Sequence, residues 1–173
     1  MKIELGGWTS VGLRCPDVNI NLCNTAGAAE AIALIQAPNG TGKTTTLEML
    51  KACMHGEATS WTPELIRDFK RHNDDRSHGI FTTNLRIDDR PLTIELRLDF
   101  EEGKASYRTA TPDGGGVRMS WDPPSEARRF LDKRFLNLFI FDGEYAKLLL
   151  DQNKAEAEYA IDALCQLYLR SEE

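Results

Sequence analysis

Eight residues constrain this chain more than any others: Ala37-Pro38-Asn39-Gly40-Thr41-Gly42-Lys43-Thr44. Two glycines one residue apart, followed at once by Lys and Thr, specify a tight loop that opens a helix. Successive N–H groups in such a loop converge on one point, and the helix adds the positive end of its dipole. Gly40 and Gly42 permit torsions closed to other residues and let a ligand approach the backbone. The pattern predicts a cradle for a nucleoside triphosphate, ATP with Mg²⁺. Lys43 would reach the β- and γ-phosphates and Thr44 would ligate the metal. The expected binding set is Pro38, Asn39, Gly40, Thr41, Gly42, Lys43, Thr44 and Thr45. Ala37 stands where the usual G-x-x-x-x-G-K-[ST] pattern has its first glycine, at a position that ends a strand and does not touch phosphate.

The flanks agree with such a loop. Residues 31–35 are a continuous apolar run that stops at Pro38-Asn39-Gly40, the pattern of a strand buried on both faces. Residues 44–54 read as a helix with Leu47, Leu50 and Met54 on one face and Gly56 as its stop. Upstream, residues 2–5 and 18–22 alternate as half-buried strands do, and residues 24–27 read as a turn. Residues 62–71 predict a surface helix capped by Thr62, with Pro63 in its first turn. A polar stretch, 73–78, precedes a β-rich region. There residues 92–100 alternate, 101–104 turn and 105–109 return as a hairpin. Asp113-Gly114-Gly115-Gly116 is a loop and Asp122-Pro123-Pro124 a boundary. Residues 125–134 predict one helix carrying Arg128, Arg129, Lys133 and Arg134. Residues 135–141 form a second apolar run, read as a strand, that ends in Asp142-Gly143-Glu144. Residues 154–170 predict an amphipathic helix with Ile161, Leu164, Cys165 and Tyr168 in its stripe. The expected class is α/β with a β-hairpin insertion.

Composition excludes several alternatives. At 173 residues, 41% hydrophobic and 28% charged, the chain is the size and type of one globular domain or lobe. No run approaches the ~18 apolar residues that span a bilayer, and the start does not resemble a signal peptide, so a cytoplasmic protein is expected. The net charge of -6 gives no overall nucleic-acid footprint. The four cysteines and three histidines (His55, His72, His78) lack metal-ligand spacing, and the thiols are expected reduced, in or near a core. The basic residues of 125–134 could face DNA, and so could Arg67, Lys70 and Arg71, although a solvated helix face is the simpler reading.

Pro38-Asn39-Gly40-x-Gly42-Lys43-Thr44-Thr45 resembles the first-lobe loop of the SMC-like ATPases. That ABC-related group includes chromosome-organising SMC proteins, the Rad/SbcC repair ATPases, RecF, RecN and the phage-defence ATPase DndD. Trp8-Thr9-Ser10 stands where these proteins have an aromatic-basic-Ser step between two opening strands; Thr9 lacks the basic side chain, and Arg14 could substitute for it. Phe139-Ile140-Phe141-Asp142-Gly143-Glu144 is similar to the F-F-F-D-G-E segment of DndD-type proteins, at the place of the Gln-Gly step in other members.

The resemblance implies a P-loop NTPase lobe of ABC/SMC-head type over residues 1–150, with residues 151–173 starting a coiled-coil region. It implies ATP hydrolysis only with a C-terminal lobe, which carries a Leu-Ser-Gly-Gly-type signature and the Walker B acid, and with a second protomer, on DNA, in genome maintenance or phage defence. In that reading Asp142 touches Mg²⁺ or the attacking water. The alternative is a self-contained P-loop NTPase or kinase in which Asp142 is the Walker B ligand to Mg²⁺ and Glu144 the base. A module that senses ATP without turnover is a third possibility.

Overall fold

Alternation of apolar and polar residues dominates the middle of the chain, and the fold follows it. The computed structural model describes residues 2–111 and 116–140. Among these residues six strands form one sheet in the order β2-β1-β3-β4-β5-β6, every neighbouring pair antiparallel. They are β1 (Ile3–Val11), β2 (Val18–Asn21), β3 (His78–Ile87), β4 (Arg90–Asp99), β5 (Lys104–Thr111) and β6 (Gly116–Arg118). Register places Phe81 opposite Leu96, Thr83 opposite Ile94 and Leu85 opposite Leu92, so one face of the sheet is a continuous apolar layer. Asp88 and Asp89, both at positive φ, make the two-residue turn between β3 and β4. The expected hairpin is present as β4 and β5. Asp99 Oδ1 fixes its turn by accepting from the N–H groups of Glu101 and Glu102 at 3.0 and 2.9 Å.

Helix α1 (Lys43–His55) covers the apolar face. Its buried side is broader than three residues, since Met49, Leu50, Ala52, Cys53 and Met54 all enter the core. The Cys53 thiol donates to the Ile94 carbonyl at 3.1 Å, and full burial pushes it up to about 12. Gly56, in the left-handed conformation, stops the helix as expected. A 3₁₀ turn (Glu57–Ser60) follows, tied down by Tyr107, whose buried hydroxyl donates to Ala52 O at 2.6 Å and accepts from Ala58 N–H at 3.1 Å. Helix α2 (Pro63–Asp68) is shorter than the expected 62–71, and Thr62 caps it by accepting from Leu65 N–H.

Three expectations fail. Residues 31–35 are not a buried strand. Ile32 and Leu34 are 91% exposed, Ile35 is 47% exposed, and no strand pairs with them among the described residues. A strand buried on both faces needs neighbours on both edges, and β1 already has β2 and β3 on its own. The chain leaves the sheet after Glu30 N–H bonds to Leu22 O. Residues 125–134 are not one helix but α3 (Ser125–Arg128), a break, and the first two residues of α4 (Lys133–Phe139). Residues 135–139 are thus not a strand but the rest of α4, and Phe141 lies outside the described residues. Asp132 caps α4 by accepting from Arg134 N–H at 2.9 Å, and Phe135 lies against Phe139 one turn later with ring centroids 4.7 Å apart. Spacing of four favours helix over the period of two that a strand needs.

Candidate functional site

The glycine loop lies on the surface at the start of α1. Gly40 and Gly42 have φ of +77° and +80°, the left-handed torsions expected of them. Gly42 is also the N-cap of α1, and among the described residues no side chain caps that terminus, nor does an acid stand in its first turn. The first N–H groups of α1 thus have no side-chain acceptor, and its dipole is unopposed locally. Thr41 Oγ1 donates to Pro38 O at 2.7 Å and closes the loop on itself. The exposed Lys43 ammonium bridges back to Pro38 O at 2.9 Å, Asn39 Oδ1 at 3.1 Å and Ala37 O at 3.2 Å. All three donors of the cation are used by neutral oxygens, which a phosphate would outcompete. Thr44 is exposed, whereas Thr45 is buried against the core. Thr46 Oγ1 donates to Gly42 O at 2.9 Å.

A second segment, residues 12–17, forms the wall behind this loop. A Cβ at Gly42 would lie 3.0 Å from Cys15 Cα and 3.3 Å from the Arg14 carbonyl oxygen, so any side chain there would press on wall backbone. A Cβ at Gly40 would meet nothing within 4 Å among the described residues. Cys15 is buried, and burial pushes its thiol up, against hydrogen bonds with Ser10 and Thr46. Ser10 also donates its hydroxyl to Pro16 O, which anchors the wall to β1. Arg14 is exposed beside the loop, with its guanidinium 5.7 Å from the centre of the Phe69 ring. Trp8 is buried, so of the expected Trp8-Thr9-Ser10 step the first and last residues serve the core.

The wall depends on residues that the sequence did not single out as a group. Asp17 accepts from Gly12 N–H at 2.8 Å, from Arg71 at 2.7 Å and from Arg76 at 2.9 Å. Burial raises the Asp17 carboxyl, but these three donors outweigh it and hold the group below its ordinary value. Partners 54 and 59 residues apart leave no local signal in the sequence. Several of the basic residues that could face DNA are engaged elsewhere. Arg67 donates to Phe100 O and Glu101 O, Arg128 pairs with Asp122, and Lys133 pairs with Glu57 at 2.8 Å. Asp142 and Glu144 lie outside the described residues, as do residues 154–170. Among the described residues, no helix is long and apolar enough to cross a membrane.

A left-handed glycine pair feeding an uncapped helix N-terminus is the arrangement of P-loop nucleotide-binding proteins. A family model described as an AAA domain matches residues 2–167, and the chain belongs to that family of P-loop ATPases, which is related to the SMC-like ATPases. No curated protein matches the chain.

Proposed function

We propose that this chain supplies the ATP-binding N-terminal lobe of a DNA-associated, SMC-like ATPase, acting in DNA repair, chromosome organisation or anti-phage defence. One observation carries the reading. The apolar run that leads into the phosphate loop is exposed, with Ile32 and Leu34 each at 91%. A run of this kind needs strands on both edges and cover on both faces. A second lobe, bearing its own strands, supplies what residues 31–35 lack.

In this reading the N–H groups of residues 39–44 cradle the β- and γ-phosphates, and Lys43 exchanges its three neutral oxygens for phosphate. Mg²⁺, when bound, would offset the negative charge of the triphosphate. The donor set fits the metal: Thr44 offers an exposed hydroxyl beside the loop, and Mg²⁺ is characteristically held by few protein ligands together with phosphate oxygens and water. Asp142 would be a further hard oxygen ligand. Hydrolysis then needs a signature motif from a partner protomer and a carboxylate base from the second lobe. Charge stabilisation and base catalysis each contribute about two or more powers of ten in rate.

Calorimetry with ATP and Mg²⁺ tests the binding half: the chain binds, and Lys43→Ala abolishes binding without unfolding. Steady-state phosphate release tests the other half. The chain alone turns over negligibly, and a co-expressed C-terminal lobe with signature and Walker B motifs restores turnover. Brisk turnover by the chain alone, lost in Glu144→Gln, would replace this reading with a self-contained NTPase in which residues 142–144 are the Walker B segment.

A further inference from the structure

We propose that Arg71 is a positioning residue for the phosphate loop, acting through the backbone of residues 13–15. Its Nε donates to Leu13 O at 3.0 Å, and its Nη2 to Cys15 O at 2.7 Å and Asp17 Oδ1 at 2.7 Å. Between those two carbonyls, Arg14 N–H donates to Phe69 O at 2.8 Å. Three consecutive residues are therefore held from one side by the segment that follows α2. On the other side they meet the nucleotide loop. The Cβ position of Gly42 is 3.0 Å from Cys15 Cα and 3.3 Å from Arg14 O, which leaves no slack between wall and loop. Gly42 is where the loop becomes helix, so its position sets the direction of the first free N–H groups of α1.

The chemistry at this position suits Arg and not Lys. A planar fork can satisfy two carbonyls and a carboxylate at once, whereas an ammonium on a flexible stem acts as a point charge. A phosphate cradle works only when its donors stay within about 0.5 Å of the productive geometry. Losing the fork frees Leu13 O and Cys15 O and lets the wall recede from Gly42. Arg76 provides an internal control. It binds the other oxygen of Asp17 at 2.9 Å, so it shares the ion-pair cluster but does not donate to the wall carbonyls.

The inference rests on residues 37–44 being the nucleotide site, which Lys43→Ala tests separately. The experiment compares Arg71→Gln, Arg71→Lys and Arg76→Ala in the whole chain, at a temperature where each is folded. Affinity for ATP with Mg²⁺ is read by calorimetry, and amide hydrogen exchange is followed over residues 12–17 and 42–46. Both Arg71 variants are expected to weaken ATP binding by about tenfold or more, read as the change in Kd. They also speed exchange in both segments, while Arg76→Ala, which loses one contact to Asp17 and none to the wall carbonyls, weakens binding less than either. Wild-type affinity and exchange in Arg71→Gln would overturn the proposal, and so would an equal loss of affinity in Arg76→Ala. If Arg71→Gln does not fold, Arg71→Lys decides. The exchange readout on nucleotide-free protein holds even if ATP does not bind, which separates failure of the wall from failure of the site.

Discussion

Gly40 and Gly42 have nearly the same φ, +77° and +80°, yet adding one methyl group to each should have different consequences. The left-handed conformation costs a non-glycine residue about 1–2 kcal/mol, partly offset because alanine also restricts the unfolded chain by about 0.4–1 kcal/mol. At Gly40 nothing lies within 4 Å of the new atom, so Gly40→Ala should cost about 1 kcal/mol of stability. At Gly42 the new atom lies 3.0 Å from Cys15 Cα, which is backbone and cannot rotate away. Overpacking of this kind adds about 1–3 kcal/mol, for a total of about 2–4 kcal/mol. Urea unfolding of the two variants measures the difference directly. Nucleotide affinity then separates stability from function. Among the described residues the space beside Gly40 is open, so a methyl there acts on binding through the ligand it meets or through the torsion it strains. Gly40→Ala should therefore lose only that ~1 kcal/mol of stability and bind ATP with Mg²⁺ tenfold or more weakly, about 1.4 kcal/mol. Equal stability of the two variants would refute the contact between wall and loop. Unchanged affinity in Gly40→Ala would show that phosphate does not approach this glycine.

Two other perturbations probe the support for the site. Tyr107→Phe removes the acceptor of Ala58 N–H and one donor to Ala52 O inside the core, and should cost about 1–3 kcal/mol in urea unfolding. ATP affinity should barely change, because the contact sits at the far end of α1, whose 13 residues span about 20 Å. His55 accepts from Glu57 N–H through Nδ1 at 3.1 Å, and burial, with Lys133 and Lys51 nearby, holds its imidazole below the ordinary 6.5 against the pull of Glu57. The unfolded chain then takes up the proton first, so stability is full above pH 6.5 and declines as pH falls through that value towards the native one. Melting temperatures above and below that window should diverge in wild type and converge in His55→Gln; an unaltered pH slope in the variant would remove His55 from the account.

Local chemistry was legible where the residues concerned are neighbours in sequence. The Thr62 cap, the Gly56 stop, the Asn24 turn and the hairpin of residues 92–109 each need only a few adjacent positions, and each forms as read. The phosphate loop belongs to the same class, because two left-handed glycines and a helix start are specified within eight residues. The two apolar runs were another matter. Residues 31–35 and 135–141 have compositions that fit a buried strand, but a strand is a relation between segments. At residues 133–139 the cap at Asp132 and the Phe135–Phe139 spacing decided for helix. The Arg71–Asp17 clamp was invisible for the same reason, since its partners are 54 residues apart.

These outcomes bear on how completely the site is organised. The second half of the phosphate loop is well anchored: Gly42 rests on the Arg71-held wall, and α1 is packed on the sheet. The first half hangs from residues 31–36, which are exposed throughout, and its internal ties are Thr41 to Pro38 and Lys43 to the carbonyls before Gly40. Covering Ile32 and Leu34 would contribute about 1.5–3 kcal/mol for each side chain, and pairing the segment would fix the stem of the loop. Under the proposed reading, the second lobe therefore does more than bring its own catalytic groups. It immobilises the half of the cradle that this lobe leaves free, so ATP affinity, as well as turnover, should rise when the two are joined.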